Sequence, residues 1–291
     1  MKNNCLLCNK IKDKKNIIYS GDIRKSGINS GYFKSSIYSC NICNLVQLYK
    51  PSYNISNYEK NKYNKEFNVE SDKEYFKRFD KEQNERISRI GIQNLRNMKV
   101  LDIGPAYGIF LDVVKNIAKS TFAVEPSSNM RKHLESNGHS AFKSLSDLST
   151  FKSYFNVITC FDVIEHVKDP LNLLNQSYNF LNKGGKMFLS MPNHDDLLLD
   201  VIGNQFKKFF YQKSHLSYFD YKSTKYLIKK SKFKNYQLGY LHKYDIQNLF
   251  SWMNKKIDYK YNLFDKTFDT FYKNNLESKG LTSHLFITLI K

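Results

Sequence analysis

The chain has 291 residues, of which 46 are lysine or arginine and 27 are aspartate or glutamate, so its formal net charge is +19. That length accommodates one full α/β core plus a small accessory module. No apolar run approaches the roughly eighteen residues of a membrane span, and the first residues, MKNNCLLCNK, lack the apolar stretch of a secretory signal. We therefore expect a cytoplasmic protein with no membrane span.

The positive charge is compatible with more than one kind of partner. Lysine and arginine neutralise phosphates, so RNA is one candidate. The lysines are spread along the whole chain rather than clustered, which is typical of a solvated basic surface. An anionic small molecule, such as a sugar derivative linked to a nucleotide, would suit the same charge. The composition does not indicate an oligomeric state.

Four of the five cysteines form two close pairs near the start of the chain. Two residues lie between Cys5 and Cys8 and two between Cys40 and Cys43, and 31 residues separate the pairs. Two such pairs supply the four thiolates of a tetrahedral zinc ion, and a reducing cytoplasm disfavours disulfides. We predict a structural Zn²⁺ in a small zinc ribbon at residues 1–50, with redox-active or unliganded thiols as the alternative.

The residues that follow each cysteine pair are also consistent with zinc knuckles. Asn9 and Asn44 directly follow the two pairs. A zinc knuckle turns through a left-handed residue at that point, and asparagine tolerates this conformation better than most other non-glycine residues. The fifth cysteine, Cys160, lies within an apolar strand pattern and is interpreted as a small buried residue.

Residues 51–95 form a polar connector rich in aromatic side chains. Apolar side chains recur at helical spacing toward its end, at Tyr75, Phe76, Phe79, Ile87 and Ile90. This spacing predicts a helix that packs over the ligand pocket of the following domain as a lid.

A strand, a glycine turn and a helix follow one another in MKVLDIGPAYGIFL, residues 98–111. The apolar run before the turn is continuous, as in a parallel strand that is covered on both faces. Gly104 and Gly108 bracket a turn at which a ligand meets bare backbone and a helix N-terminus. A dinucleotide-binding fingerprint needs glycine at positions 106 and 109, where this chain has alanine and isoleucine.

The turn instead resembles the Asp-x-Gly-x-Gly-x-Gly motif of class I methyltransferases that use S-adenosylmethionine (SAM). Asp102, Gly104, Ala106 and Gly108 match that motif, with alanine in the middle glycine position. A second strand, TFAVE, ends at Glu125 about twenty residues later, where a carboxylate can accept two hydrogen bonds from a ribose diol.

Further elements continue the alternation of strands and helices. Ser127 caps a helix that stops at Gly138, and NVITC is another buried strand. Asp169 and Pro170 open a helix that we expect to end at the glycines 184–185, before the strand KMFLSMP. This order predicts a parallel sheet covered on both faces.

Two stretches strengthen the resemblance, which covers roughly residues 97–240. FDVIEHVKDP through NKGGKMFLSMPN is similar to the corresponding region of ubiquinone-type and sugar methyltransferases, and SHLSYFDYKSTKYLIKKSKFK is similar to a segment that they carry after strand five. CNICNLVQL resembles part of the zinc-binding domain that precedes the SAM domain in sugar C-methyltransferases. The chain has only 58 residues after Phe233, whereas those enzymes have a long C-terminal domain, so their catalytic residues are not transferred.

The resemblance implies an α/β, Rossmann-like class I methyltransferase fold, with a seven-stranded, mostly parallel sheet behind the zinc ribbon. The SAM-dependent methyltransferase domain would span residues 96–291, with insertions at about 193–220 and 245–280. The implied cofactor-binding residues are Asp102, Gly104, Ala106, Gly108, Glu125, Ser144, Leu145, Asp147 and Asp162. Among them, Ser144, Leu145 and Asp147 would flank the adenine, and Asp162 would lie where the amino-acid end of SAM meets the acceptor.

Three histidines, His166, His194 and His215, are candidates for a catalytic base, and we predict that His194 and His215 are the active-site groups. Ligands gather beyond the carboxyl ends of parallel strands, where His194 follows strand five and His215 lies on the segment expected to cover the cleft. His166 is interpreted as a helix-start or packing residue, and hydrogen-bonded loop histidines are the alternative for the other two.

The leading functional hypothesis is methyl transfer to a small-molecule acceptor, specifically a nucleotide- or carrier-linked sugar in surface-glycan or related biosynthesis. One alternative is an RNA base methyltransferase whose zinc ribbon recognises RNA. The other is a non-catalytic protein that uses the SAM fold for interaction.

Overall fold

The structure, a computed structural model, describes residues 4–25, 31–49, 82–253 and 263–291. The first part of the predicted connector, residues 51–81, lies outside these ranges, as do Tyr75, Phe76 and Phe79. The strands are β1 (Ile17–Arg24), β2 (Tyr32–Ser39), β3 (Val46–Leu48), β4 (Lys99–Ile103), β5 (Ser120–Val124), β6 (Ser140–Phe142), β7 (Phe155–Phe161), β8 (Leu181–Pro192), β9 (Ser217–Tyr218), β10 (Asn235–Leu241) and β11 (His284–Ile290).

Nine α-helices lie within the described residues: α1 (82–90), α2 (Ile109–Val114), α3 (Ser128–Ser136), α4 (Pro170–Phe180), α5 (Leu197–Val201), α6 (Asn204–Phe210), α7 (Tyr221–Lys230), α8 (Ile246–Met253) and α9 (Lys266–Lys279). The caps predicted from sequence are present. The Ser127 hydroxyl accepts a hydrogen bond from the Met130 amide at the start of α3, and the Asp169 carboxylate accepts one from the Asn172 amide at the start of α4.

A seven-stranded sheet has the strand order β10-β11-β8-β7-β4-β5-β6. Strands β4 to β8 pair in parallel, and β11 runs antiparallel to both β8 and β10. The central strands are fully covered, with Leu101 and Ile158 at 0% exposure, because helices lie on both faces of a parallel sheet. This arrangement confirms the predicted Rossmann-like class I methyltransferase fold.

Strand β8 begins earlier than the sequence indicates. The preceding helix α4 ends at Phe180, four residues before the glycine pair at which we expected it to stop. Leu181 already pairs with Phe155 of β7, and the Gly184 amide donates to the carbonyl of Lys291. Hydrogen bonds to β7 on one side and to Lys291, after β11, on the other therefore extend β8 through the two glycines.

A second, four-stranded sheet joins the N-terminal segment to the rest of the chain. Its order is β1-β2-β3-β9. The first three strands come from the predicted zinc ribbon, whereas β9 belongs to the insertion predicted at 193–220, and Val46 and Gln47 pair with Tyr218 and Ser217. Apolar side chains of β1 to β3 also share a buried cluster with Leu198, Phe206 and Tyr211. Backbone pairing and packing thus fix the N-terminal segment against the insertion.

None of the helices in the described ranges is both long enough and apolar enough to cross a membrane.

Candidate cofactor and acceptor site

The turn after β4 takes a left-handed backbone conformation at three alternate residues. The φ angles are +73° at Gly104, +52° at Ala106 and +83° at Gly108. Glycine adopts such angles without strain, whereas alanine pays of the order of 1 kcal/mol. At Gly104, an added Cβ would lie 2.5 Å from Cγ2 of Val163. The backbone at Gly104 therefore lies so close to Val163, after β7, that any larger residue at position 104 would clash.

Replacing Gly104 with alanine should destabilise the fold by about 2 kcal/mol or more, because left-handed strain adds to a clash with Val163. Chemical denaturation measures this change. Gly138→Ala is the matched control: Gly138 has φ +87° and no atom within 4 Å of an added Cβ, so it should lose only about 1 kcal/mol. Equal losses in the two variants would show that the contact with Val163 does not constrain the turn.

Glu125 is buried directly after β5, and its carboxylate holds the glycine turn. One oxygen accepts a hydrogen bond from the amide of Ala106 at 3.2 Å, and the other accepts one from the amide of Ser127 at 2.9 Å. Burial raises the pKa of Glu125 to about 7, although these amides and Arg131 partly oppose the rise. The ionisation of this carboxyl group therefore responds to pH and ligands near neutrality.

The larger cavity at the carboxyl ends of the strands has a volume of about 450 Å³. Its walls are mostly apolar, with Ile103, Val124, Met130, Val163 and Leu173 among them. Six of the residues predicted to bind the cofactor line it: Gly104, Ala106, Glu125, Ser144, Leu145 and Asp162. An apolar cavity with a few polar groups is the usual form of a small-molecule site.

Asp147 and Gly108 do not line either of the two cavities at this edge. The carboxylate of Asp147 instead accepts a hydrogen bond from the amide of Ser144 at 3.0 Å, closing a capping box on the short 3₁₀ helix Leu145–Leu148. Asp147 thus shapes the loop whose other residues reach the cavity, because a capping carboxylate must point back toward its own backbone.

A smaller, polar cavity of about 190 Å³ lies between the glycine turn and helix α1. Asp102 lies on its wall, where burial raises the pKa of the carboxyl group to about 6 although Thr159 donates a hydrogen bond to it at 2.8 Å. Gly104 and Ala106 line this cavity as well as the larger one. The turn therefore forms the partition between the two spaces.

Asp162 is the centre of a charged network that also borders the smaller cavity. Its carboxylate lies 2.9 Å from Lys243 Nζ and 3.3 Å from Arg86 Nη2, and it accepts a hydrogen bond from the Ser190 hydroxyl at 3.1 Å. Burial alone would raise the pKa of Asp162, but Lys243, His284 and Arg86 outweigh it and hold the pKa well below its ordinary value. Asp162 is therefore an anion held between two cations, Lys243 and Arg86.

The structure does not bring His194 and His215 to the wall of either cavity. Nε2 of His194 lies 2.9 Å from the Tyr211 hydroxyl, because helix α6 and the residue after it fill the space beside the loop. His215 is 7% exposed and packs behind His166. His166, interpreted from the sequence as a packing residue, is the histidine that lines the larger cavity. The topological argument placed both histidines at this edge of the sheet but did not distinguish the layers of side chains there.

The four paired cysteines lie together in the N-terminal segment. Sγ of Cys5 is 3.6 Å from Sγ of Cys43, and Sγ of Cys8 is 3.5 Å from Sγ of Cys40. All four sulfur atoms are within 4.8 Å of one another, which is a suitable arrangement for a metal ion. Asn9 and Asn44 have φ angles of +59° and +61°, which confirms the left-handed turn predicted after each pair.

Comparisons with known proteins agree with the seven-stranded sheet and with the site at its edge. A family model described as a methyltransferase domain matches residues 73–238, more than half of the chain. The chain belongs to this methyltransferase domain family. Among solved structures, a SAM-dependent methyltransferase from Archaeoglobus fulgidus covers 75% of this chain and 98% of its own, with a TM-score of 0.50 and 19% identity. At that identity the similarity shows the fold alone.

Curated relatives of the methyltransferase domain include two ubiquinone biosynthesis O-methyltransferases. The protein from Actinobacillus pleuropneumoniae is 30% identical over 122 residues, which is 37% of this chain and 52% of that protein. The protein from Pseudomonas aeruginosa is 29% identical over 122 residues, which is 38% of this chain and 53% of that protein. The chain thus spans about half the length of these relatives.

Sequence reasoning did not single out Arg86 or Lys243, which border the smaller cavity, and it interpreted His166, which borders the larger one, as a packing residue. Arg86 and Lys243 flank Asp162 from α1 and from the segment after β10, and His166 faces the larger cavity. The sequence could have indicated His166, because this residue lies only four positions after Asp162, just beyond the end of β7. No local pattern distinguishes Arg86 or Lys243 from the many other basic residues of the chain.

Proposed function

We propose that the protein transfers a methyl group from SAM to an oxygen atom of a small-molecule acceptor. The observation that carries this proposal is the Glu125 carboxylate, buried at the end of β5 and bonded to the left-handed turn after β4. When bound, SAM supplies a methyl group on a positively charged sulfur, which makes the methyl carbon electrophilic.

The residues of the two cavities fit the chemical groups of SAM. Glu125 would accept hydrogen bonds from the ribose hydroxyls, and Ser144 and Leu145 would contact the adenine in the apolar part of the larger cavity. The smaller cavity carries charges of both signs, which suits an amino-acid zwitterion: Asp102 would face the ammonium group and Arg86 the carboxylate. Asp162 lines both cavities, at the point where donor and acceptor would meet.

The contacts among these residues support a site that is formed before a ligand binds. Methyl transfer needs the donor and acceptor aligned and water excluded. Lys243 and Arg86 fix the Asp162 carboxylate from two directions, and Val163 packs against the glycine turn. The boundary between the cavities is therefore set before any ligand binds.

The affinity for S-adenosylhomocysteine (SAH), the demethylated product, should rise with pH through about 7. The carboxylate form of Glu125 accepts both ribose hydroxyls, and its pKa of about 7 means that the group is largely protonated at pH 6. We expect binding at pH 6 to be about tenfold weaker than the plateau above pH 8, since one pKa unit corresponds to a tenfold change. Calorimetry between pH 5.5 and 8.5 measures this dependence.

Glu125→Gln is the control for that experiment, because the amide does not titrate. Its SAH affinity should be almost independent of pH from 6 to 8. If the variant keeps the wild-type pH dependence, Asp102 or another group is responsible and Glu125 is not the diol acceptor.

For the acceptor, we propose a nucleotide- or carrier-linked sugar. The net charge of +19 favours an anionic substrate, and the N-terminal cysteine segment resembles that of sugar methyltransferases. The related ubiquinone O-methyltransferases support an oxygen atom as the methylated centre. RNA is the second candidate because of the same charge, although dispersed lysines provide phosphate contacts without base readout.

A panel of acceptors with methyl-labelled SAM tests the proposal. UDP-glucose and dTDP-glucose represent nucleotide sugars, 3,4-dihydroxybenzoate represents phenolic acceptors, and bulk transfer and ribosomal RNA represent nucleic acid. We expect the methyl label to be transferred to a nucleotide sugar. RNA should bind only weakly, in a salt-sensitive way, and should not be labelled. Label in a defined RNA nucleotide at physiological salt would overturn the sugar hypothesis. SAH binding without transfer to any acceptor would favour the non-catalytic alternative.

We also propose that Cys5, Cys8, Cys40 and Cys43 bind one structural Zn²⁺. Four thiolates close the tetrahedral coordination of zinc and leave no open position for catalysis. No side chain of this cluster lines either cavity. Its role would therefore be to stabilise the N-terminal segment and, through β3, the paired strand β9.

A further inference from the structure

His166 is held with one ring nitrogen against the backbone. Its Nδ1 lies 2.8 Å from the carbonyl oxygen of Ser214. A carbonyl oxygen only accepts hydrogen bonds, so Nδ1 carries the proton and Nε2 is the basic nitrogen of the neutral ring. Burial lowers the pKa of His166, which favours that neutral ring at physiological pH. His166 is also one of the residues that line the larger cavity.

His215 supports His166 from behind. The two rings meet edge to face, with 4.6 Å between centroids and an interplanar angle of 82°. The side-chain amide of Gln212 donates to Nε2 of His215, and Nη2 of Arg24 donates to the amide oxygen of Gln212 at 3.1 Å. A guanidinium group can only donate, so Arg24 must contact the oxygen of the Gln212 amide. The nitrogen of that amide then points at His215, whose Nε2 accepts the hydrogen bond.

This chain of contacts begins in the N-terminal segment. Arg24 is the last residue of β1, and its amide and carbonyl bond to the carbonyl of Tyr211 and the amide of Lys213. Downstream, the amide of Leu216 donates to the carbonyl of Glu165 at 2.8 Å. Residues 211–218 are therefore bound on one side to the N-terminal sheet and on the other to the residues beside His166.

We propose that His166 is the general base of the methyl transfer and that the N-terminal segment positions it through Arg24, Gln212 and His215. This inference rests on the proposed oxygen-directed transfer. The acceptor hydroxyl gives its proton to Nε2 of His166, and an oxygen electron pair forms the bond to the methyl carbon. The methyl–sulfur bond breaks with its electron pair remaining on sulfur, which leaves neutral SAH, and the imidazolium then releases its proton to solvent.

His166→Asn is the decisive variant, because the asparagine amide retains a donor toward Ser214 but offers no basic nitrogen. With the nucleotide sugar of the panel that the wild-type protein methylates fastest, turnover should fall by roughly 10²- to 10⁴-fold. His133→Asn, a substitution on helix α3 away from the cavities, is the matched control and should leave turnover unchanged. SAH affinity, measured by calorimetry, should change less than turnover does.

Two further variants separate the base from the residue that positions it. His215→Ala should lower kcat by about tenfold at unchanged SAH affinity, since a misplaced base loses rate rather than binding. His215→Phe keeps an aromatic edge against His166 and should recover most of that loss. If His215→Phe is instead as inactive as His166→Asn, His215 is the base and the proposal is wrong.

The tautomer can be observed without any acceptor. Nitrogen-15 NMR of histidine-labelled protein should show His166 neutral and protonated at Nδ1 at pH 7; protonation at Nε2 would overturn the proposal. Turnover above one tenth of wild type in His166→Asn would also overturn it. Wild-type protein that fails to bind SAH would instead refute the proposed function on which the inference rests.

Discussion

Glu125→Ala is expected to weaken the binding of SAM and SAH by roughly 10- to 150-fold, the equivalent of about 1.5–3 kcal/mol for hydrogen bonds to a charged group. Glu125 is 6% exposed and lines the larger cavity, and its carboxylate is bonded to the amides of Ala106 and Ser127. Its removal takes away the proposed diol acceptor and leaves the amide of Ala106 without its carboxylate partner. Calorimetry with SAH measures the loss directly.

Glu135→Ala is the matched control for this substitution. Glu135 is an exposed glutamate on α3, ten residues farther along the chain, so its replacement removes an equal charge without touching the cavity. Its SAH affinity should equal that of the wild type. Equal SAH affinities for wild type, Glu125→Ala and Glu135→Ala would show that Glu125 does not contribute to SAH binding.

Cys40→Ser is expected to abolish stoichiometric zinc binding and to destabilise the N-terminal segment by about 4 kcal/mol or more, since metal loss is among the largest effects of single substitutions. Cys5, Cys40 and Cys43 are at most 3% exposed and share a buried cluster with Phe219 and Leu227. Elemental analysis and hydrogen exchange of β1 to β3 measure the two effects. SAH affinity should fall much less, because the cluster does not border either cavity.

Cys160→Ala provides the control for zinc content, because Cys160 is buried in β7 and lies outside the four-cysteine cluster. It should retain one zinc per chain. Wild-type protein purified without chelator but free of metal, with four readily titrated thiols, would contradict the zinc proposal.

Features encoded by contiguous residues were predicted well from the sequence. The strand, turn and helix around Gly104 appear where their pattern indicated, and the Ser127 and Asp169 caps make their expected bonds. Such elements depend on local backbone preferences and on hydrogen bonds between near neighbours. The left-handed conformations of Asn9 and Asn44 belong to the same class.

Features that depend on distant contacts were not predictable in this way. Arg86 and Lys243 meet at Asp162 from positions 76 residues before it and 81 residues after it. The pairing of β3 with β9 joins segments about 170 residues apart. The same limitation explains the histidines: topology placed His194 and His215 at one edge of the sheet, whereas long-range packing against Tyr211 and His166 keeps their side chains off the cavity walls.

The most direct test of the central claim is calorimetric titration of the purified protein with SAH, with NAD as the comparison ligand. Both contain an adenosine ribose, but only SAH carries the amino-acid end that we propose to bind in the charged cavity at Asp102 and Arg86. We predict one SAH per chain, with weaker SAH binding in Glu125→Ala, and no measurable NAD binding. No heat with SAH or SAM, or tight binding of NAD instead, would contradict the assignment of this site to SAM.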